Sequence, residues 1–549
     1  MDDLRSGISL KSRYYRLEPD RFVFLDRARR CSELTIPTLI PPLGHNKTTR
    51  YYTPWQGIGA RGVNNLASKL LLSLLPPNSP FFRLTVDDFT MEKIAGQPGA
   101  RAMVEKGLAK VERAVQDEIE GTGMRSPIFL SLKHLIVGGN CCVYFPKDGG
   151  TRIFAIDSYV ARRDPEGNLL EVIIREQVDP EAVSDIIDKI EDTIEGENVS
   201  SSEAKDKTQK GSGEAFEEVV ELFTRFWREE GKWKMCQEVL DKIVPGSEGS
   251  WPIEKPPLLA LRWVTVEGED YGRSYVEEYM GDLVALEALS KAIVEASAVA
   301  AKIVFLVSPN GVTKAEDITQ AESGEAVVGH KDDVHCLQSE KQADLKITFD
   351  AIKEITERLS YAFLLNSAIQ RNGERVTAEE IRFMAGDLED ALGGVYSILS
   401  QELQLPMVMR IMDRMQKQKR LPEFPKGVIK PEIVTGLEAL GRGHDLSKLQ
   451  QFMQLLQGLP PEITQQYINW DDLLNRVGTA LMIDTDGLIK SPEEVQQAQQ
   501  QAQQSQQQQQ MTDLAGKAAP AAIKALSDHA MAAQQPPSGP PGPPAPNGN

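Results

Sequence analysis

Apolar and polar positions alternate along this chain with two periods, and the change from one to the other divides it. Residues 14–39 mix charges with apolar side chains at helical spacing: Phe22, Phe24 and Leu25, then Leu34 and Ile36. The apolar run from Val63 to Leu75, stopped by Pro76 and Pro77, predicts a helix over about 61–75. A second helix, about 100–120, places Met103, Leu108, Val111 and Val115 largely on one face. The stretch FLSLKHLIVGGNCCVYFP then passes from helix to a short strand, with Gly138, Gly139 and Asn140 as the turn. Strand-like pieces follow at 152–156 and 169–175, separated by the turn residues Pro165, Glu166, Gly167 and Asn168. Val183, Ile186, Ile187, Ile190 and Ile194 return to helical spacing, and the polar stretch 196–213 reads as an exposed loop. Alternation over 219–228 and 232–240, centred on Glu230 and Gly231, predicts a β-hairpin. Residues 1–270 therefore read as a mixed α+β region.

From Gly272 the pattern turns strongly helical. Residues 275–301 carry a broad apolar face of Met280, Leu283, Leu286, Leu289 and Ile293 among small residues that permit close helix approach. A short β-rich piece follows, turned at Pro309, Asn310 and Gly311, and helix resumes from about Asp344 to Asn366. The segment NSAIQRNGERV, 366–376, breaks the helix at Asn372 and Gly373; Thr377 and Glu380 form a capping box for the next one. That helix runs to about Leu405, with Pro406 as a kink or boundary. Shorter helices are expected near 407–419, 445–457 and 470–482. The Gln-rich stretch has no apolar stripe to bury, and the Pro/Gly-rich end is expected to be disordered.

At 549 residues the chain has room for several domains, and 41% hydrophobic residues suit a soluble protein with a substantial core. No apolar run approaches the length of a membrane span: Ser297 to Val307 is broken by Lys302. The charged start, Met1 to Arg5, has no apolar signal region, and five cysteines without a framework fit a reducing compartment. Cys141 and Cys142 are expected to pack in the core. The net charge of −19 argues against a protein that clamps nucleic acid through a basic patch; it suits a surface past which phosphates slide, and equally the plain solubility of a large protein.

Gly57, Gly59 and Gly62 in TPWQGIGARG satisfy GxGxxG, yet Pro54 interrupts the segment where a buried strand is required, and the nearest later acids are Asp87 and Asp88. A structural helix entry is the reading this context supports. No GxxxxGK[ST] loop or HExxH pattern occurs. His330, Asp332, His335 and Cys336 cluster without a second ligand pair, and Met482 occupies the first position of the calcium-loop-like DTDGLIKSPEE. The chain is therefore expected not to be an enzyme and to hold no cofactor or metal.

Three blocks carry a resemblance that these patterns do not. YYTPWQGIGARGVNNLASKLLLSLLPP, YGRSYVEEYMGDLVALEALSKAIVEAS from Tyr271, and AFLLNSAIQRNGERVTAEEIRFMAGDLEDALGGVYSILSQELQLP from Ala362 resemble the portal (head-to-tail connector) proteins of short-tailed, podovirus-type bacteriophages. TGLEALGRGHDL from Thr435 extends the likeness, which covers about residues 10–490. The resemblance implies an α+β, mainly helical portal fold of wing, stem, clip and crown, assembled as a cyclic ring with a central channel. It assigns 1–272 to the wing, 273–300 and 346–365 to the two stem helices, 301–345 to the clip and 366–376 to the channel (tunnel) loop. It gives 377–440 to a long helix and the rest of the wing, 441–490 to the crown and 491–549 to a largely disordered tail.

A dodecamer is implied, whose copies would carry on the order of two hundred negative charges around one axis. The ring would sit at one vertex of the virion capsid after assembly in the host cytoplasm. The implied partners are scaffolding and capsid proteins, the terminase motor, tail adaptor proteins, internal core proteins at the crown, and double-stranded DNA in non-specific passage; no membrane is involved. In the channel loop Gln370, Arg371, Asn372 and Arg375 are expected to face DNA, where arginine–phosphate contacts are positional and screened. Glu374 beside Arg371 and Arg375 leaves an ordinary surface turn as the plain alternative. Lys314, Lys331 and Lys341 are candidate clip contacts. The rival readings are another virion ring, such as a tail adaptor, and a nucleotide-binding enzyme using Gly57–Gly62.

Overall fold

The computed structural model describes residues 9–46, 48–77, 81–86, 100–146, 149–179, 220–300, 304–337, 342–365, 394–422 and 429–433, with the isolated positions 388, 392, 454 and 474. Two compact units divide the chain, Met1–Gly441 and Arg442–Asn549, and nearly all described residues belong to the first. The helices expected at 181–194, 377–393, 445–457 and 470–482, the loop at 196–213, and the crown and tail assignments lie outside the described residues, or almost wholly so.

Helix α1 (Leu10–Glu33) begins where Ser9 Oγ accepts from the Ser12 amide and the buried Glu238 carboxylate accepts from Leu10 and Lys11 at 2.7 and 3.0 Å. Its charges do not all face water. Arg13 donates to the buried Glu171 carboxylate at 2.6 Å, and Arg225 meets the same carboxylate at 2.6 Å from the sheet. Burial raises the Glu171 carboxyl, and the two guanidinium groups more than reverse this, holding it below the ordinary carboxylate range. Arg21, 2% exposed, donates to the Tyr14 hydroxyl and to the carbonyls of Ile156, Asp157 and Tyr159. The mixed charge of this segment thus fastens α1 onto a sheet.

Helix α2 (Ile58–Leu74) starts three residues before the expected position and buries Val63, Leu66, Leu70 and Leu74. Strand β1 (Phe82–Val86), α3 (Ala100–Gly121), α4 (Arg125–Gly138) and β2 (Asn140–Tyr144) follow, with Gly139 in the left-handed conformation between the last two. Strands β3 (Arg152–Ala155), β4 (Tyr159–Arg163), β5 (Leu169–Val178), β6 (Val220–Glu229), β7 (Lys232–Val239), β8 (Lys242–Ile243), β9 (Gly249–Pro252) and β10 (Leu258–Arg262) complete the β-rich part. β4 to β8 lie in chain order in one antiparallel sheet, with β9 added to β7; β10, β2 and β3 form another. Glu230 and Gly231 both have positive φ and make the two-residue turn between β6 and β7 that the sequence predicts. β4 was not predicted, because two of its five residues are the charged pair Arg162 and Arg163.

The predicted 275–301 helix is interrupted at Tyr279, giving α5 (Tyr275–Glu278) and α6 (Met280–Ala300). Next come β11 (Val304–Val307), a short helix α7 (Ala315–Gln320) that the sequence did not predict, β12 (Val334–Leu337) and α8 (Gln342–Ala362). β11 and β12 pair antiparallel, and α6 packs beside α8 as a hairpin. Pro406 falls at a boundary, as expected, but the chain stays helical across it. Helix α9 (Gly394–Leu399) passes through a π-turn at Ser400–Gln404 into α10 (Leu405–Lys417), with the proline in the first turn of α10, where the ladder changes. α10 buries Met407, Val408, Ile411 and Met415 and joins α3 through Arg414 to Glu118 at 3.0 Å, so it belongs to the body of the first unit. β13 (Ile429–Ile433) returns to pair with β1.

Candidate functional site

The candidate site is the α6–α8 hairpin, its root in the body and the strand pair it carries. The root is built from aromatic residues at widely separated positions. Tyr275 lies 5.2 Å from Tyr279, 5.8 Å from Trp263 and 6.0 Å from Phe363 between ring centroids. Such edge and tilted pairs add to the burial of large rings. Leu283, Leu286, Ile355 and Leu359 extend this core into the hairpin. Farther along, it ends: Val294, Val299, Ile347 and Phe349 are 47%, 66%, 69% and 62% exposed. The face predicted for residues 275–301 is therefore buried at Leu283 and Leu286, and only partly covered at Met280, Leu289 and Ile293.

The glycine-rich entry to α2 is part of this root. A Cβ at Gly62 would stand 2.5 Å from the Phe363 ring, and one at Gly59 would stand 2.6 Å from the Leu34 carbonyl oxygen. Both glycines are spent on close approach within the chain. Nor is the helix entrance open to a phosphate: the Glu287 carboxylate on α6 accepts from the amides of Trp55 and Gln56 at 3.0 and 3.2 Å and from the Tyr52 hydroxyl. That last bond pushes the Tyr52 phenol up to about 12. An internal anion thus holds the amides just before the glycines, and the close packing at Gly59 and Gly62 speaks for a structural helix entry over a dinucleotide turn. Glu287 was missed because its link to residues 52–56 leaves no local signature.

In the strand pair, Asp333 organises the connection. Its carboxylate accepts from the amides of Val312 and Thr313 at 2.9 and 3.2 Å, and these bonds hold it below the ordinary carboxylate range. Thr313 and His330 are bonded to each other, the His330 amide donating to Thr313 Oγ1 at 3.0 Å. Their immediate neighbours, Lys314 and Lys331, are both exposed and so emerge from one backbone knot. Around it Phe305, Leu306, Val312 and Val328 are also exposed. Lys341, Gln370, Arg371, Asn372 and Arg375 lie outside the described residues, so the knot unites two of the three lysines. Among the described residues no group of three His, Cys, Asp or Glu side chains is placed to hold a metal, and no helix is long and apolar enough to cross a membrane.

Comparison with known proteins gives a consistent set of relatives. The family model for the bacteriophage head to tail connecting protein matches residues 8–489. The chain is 41% identical over 504 residues to the portal protein of Enterobacteria phage T3, covering 90% of this chain and 91% of that one. Against the portal protein of Escherichia phage T7 it is 41% identical over 507 residues, with the same two coverages. The portal protein of Enterobacteria phage SP6 is 33% identical over 484 residues, covering 87% and 89%. A solved structure of a native gene transfer agent virion matches at 10% identity and a TM-score of 0.32, over 74% of this chain and 88% of that one; at that score the likeness carries no argument.

Proposed function

The chain belongs to the bacteriophage head to tail connecting protein family, and from that membership we propose that it is the portal protein of its virion. The observation that carries the proposal is the 41% identity to two phage portal proteins over nine-tenths of both chains. As a virion component of the head–tail junction it works as a ring-forming oligomer through which double-stranded DNA is packaged and later ejected.

The finer picture rests on the family resemblance, with the exposed side chains of the hairpin in its support. One chain leaves Val294, Val299, Ile347, Phe349 and Tyr361 exposed along the hairpin. Repeated head-to-tail contacts between copies would cover such side chains and close into a ring, which we take to be a dodecamer. In that ring α6 and α8 are the stem, β11 and β12 with Lys314, Lys331 and Lys341 belong to the clip, and 366–376 is the channel loop. The clip meets the terminase motor and then the tail adaptor; scaffolding, capsid and internal core proteins meet the outer and inner parts. The work is geometric rather than covalent, and any nucleotide-driven step resides in the motor.

Gln370, Arg371, Asn372 and Arg375 act in this scheme as a weak, sequence-independent brake on DNA. Replacing Arg371 and Arg375 together with Ala leaves ring formation intact and alters the DNA content or leakage of packaged heads. Unchanged content and leakage in assembled heads would remove the role. The portal reading itself is tested by electron microscopy of the purified protein, classified by rotational symmetry. Rings with an axial channel wide enough for a duplex are expected; compact monomers at every salt concentration would overturn it.

A further inference from the structure

The end of α8 is a complete Schellman turn with an unusual residue at its key position. The Leu365 amide donates to the Ser360 carbonyl at 2.8 Å and the Leu364 amide to the Tyr361 carbonyl at 3.0 Å, the two bonds that define the motif. The left-handed residue is Leu364, at φ 54°, where glycine is usual because a side chain there costs roughly 1–2 kcal/mol. Donors from outside the helix support the conformation. The Tyr275 hydroxyl donates to the Ala362 carbonyl at 2.8 Å. Asn65 Nδ2 donates to the carbonyls of Phe363 and Leu364 at 3.0 and 3.1 Å, and Lys69 Nζ donates to Leu364 at 2.8 Å. Lys69 is 6% exposed, and its charge lies at the negative end of α8.

Gly62, Asn65 and Lys69 fall on one face of α2 by their three- and four-residue spacing, so one helix supplies both the close approach to Phe363 and the donors. The Phe363 and Leu364 carbonyls are the ones that the amides of residues 367 and 368 would bond if α8 continued as a regular helix. Asn65 and Lys69 therefore compete with helix continuation at the threshold of 366–376. We infer that Asn65 and Lys69 are positioning residues for the channel constriction, fixing where and in which direction the chain leaves the second stem helix. This rests on the reading of 366–376 as the channel loop.

The test uses the full-length assembled ring and heads packaged through it. Asn65→Asp is isosteric and turns the two-donor amide into an acceptor facing two carbonyls; Lys69→Met keeps the apolar stem and removes the donor. Either is expected to speed hydrogen exchange at the Leu364 and Leu365 amides at least tenfold while the amides of 58–74 stay protected, and to raise DNA leakage from packaged heads. Lys69→Arg, which keeps a charged donor, is expected to restore both. If Asn65→Asp also exposes 58–74, Lys69→Met decides the matter. Exchange within twofold of the parent at Leu364 and Leu365 overturns the anchor whatever the DNA does. Faster exchange with normal retention, where Arg371→Ala/Arg375→Ala does cause leakage, also overturns it. Faster exchange with normal retention in both variants instead overturns the channel reading of 366–376.

Discussion

The body of the first unit and the hairpin it carries are built on opposite terms. In the body, one helix such as α2 buries Val63, Leu66, Leu70 and Leu74 completely, and buried charge is matched within the chain, as Glu171 is by Arg13 and Arg225. In the hairpin the same kinds of side chain face water: Ile347, Phe349 and Val299 are each more than 60% exposed. Among the described residues the body closes its core and its charge balance around such elements, although Phe22 and Leu43 are exposed there too, whereas on the proposed ring reading the hairpin is the part that other copies cover. A substitution in the first should be felt as stability, and one in the second as assembly.

The largest stability effect is expected where the body's charge balance is removed. Glu171→Ala leaves two buried guanidinium groups without their carboxylate and should cost about 3–5 kcal/mol, seen as a lower unfolding midpoint and poor soluble yield. A loss under 1 kcal/mol would mean that the sheet is not the self-sufficient part. His134, buried on α4, comes next. Burial, and to a lesser degree Lys133, pushes its imidazole down to about 4, against an ordinary value of 6.5. Above pH 6.5 it is neutral in both states and costs nothing. As the pH falls from 6.5 toward 4 the unfolded chain binds a proton that the folded chain does not, so stability is lost, by about 2 kcal/mol at pH 5. His134→Leu should remove that part of the pH dependence in thermal unfolding between pH 7 and 5, and hairpin variants should leave it in place. The smallest stability change is expected from Ile347→Ser with Phe349→Ser. Both side chains are exposed, so protomer stability should move by less than about 0.5 kcal/mol while the ring fraction in electron micrographs falls. A destabilised protomer with rings still forming would reverse the comparison.

The same division explains what the sequence made legible. The hairpin helices, the inserted strand pair and the turn at Glu230 and Gly231 are local patterns, and residue periodicity was enough to find them. The links that join distant segments were not. Nothing local marks Arg13 and Arg21 as buried, because acceptors that draw them inward lie on strands and turns more than a hundred residues away. The π-turn at Ser400–Gln404 has no compositional mark; its last residue, Gln404, is held by a bond from its side-chain amide to the Leu74 carbonyl. Of the candidate residues, Lys314 and Lys331 could be named from sequence, but what brings them together is the bonding of Thr313 to His330 and Asp333. Glu287, Asn65 and Lys69 act through carbonyls and amides far along the chain, which no motif records.

The pairing of β1 with β13, Phe82 opposite Ile433 and Val86 opposite Ile429, has a consequence for how the molecule is born. At ribosomal speeds of roughly 5–20 residues per second, tens of seconds separate the emergence of the first strand from that of its mate. For that interval β1 lacks the strand it pairs with, while the hairpin proposed to join neighbouring copies has already left the ribosome. β13 therefore acts as a clasp, pairing with β1 only after the whole hairpin has been translated. Slowing or truncating synthesis between these two strands should yield chains that meet their neighbours before their own cores are shut.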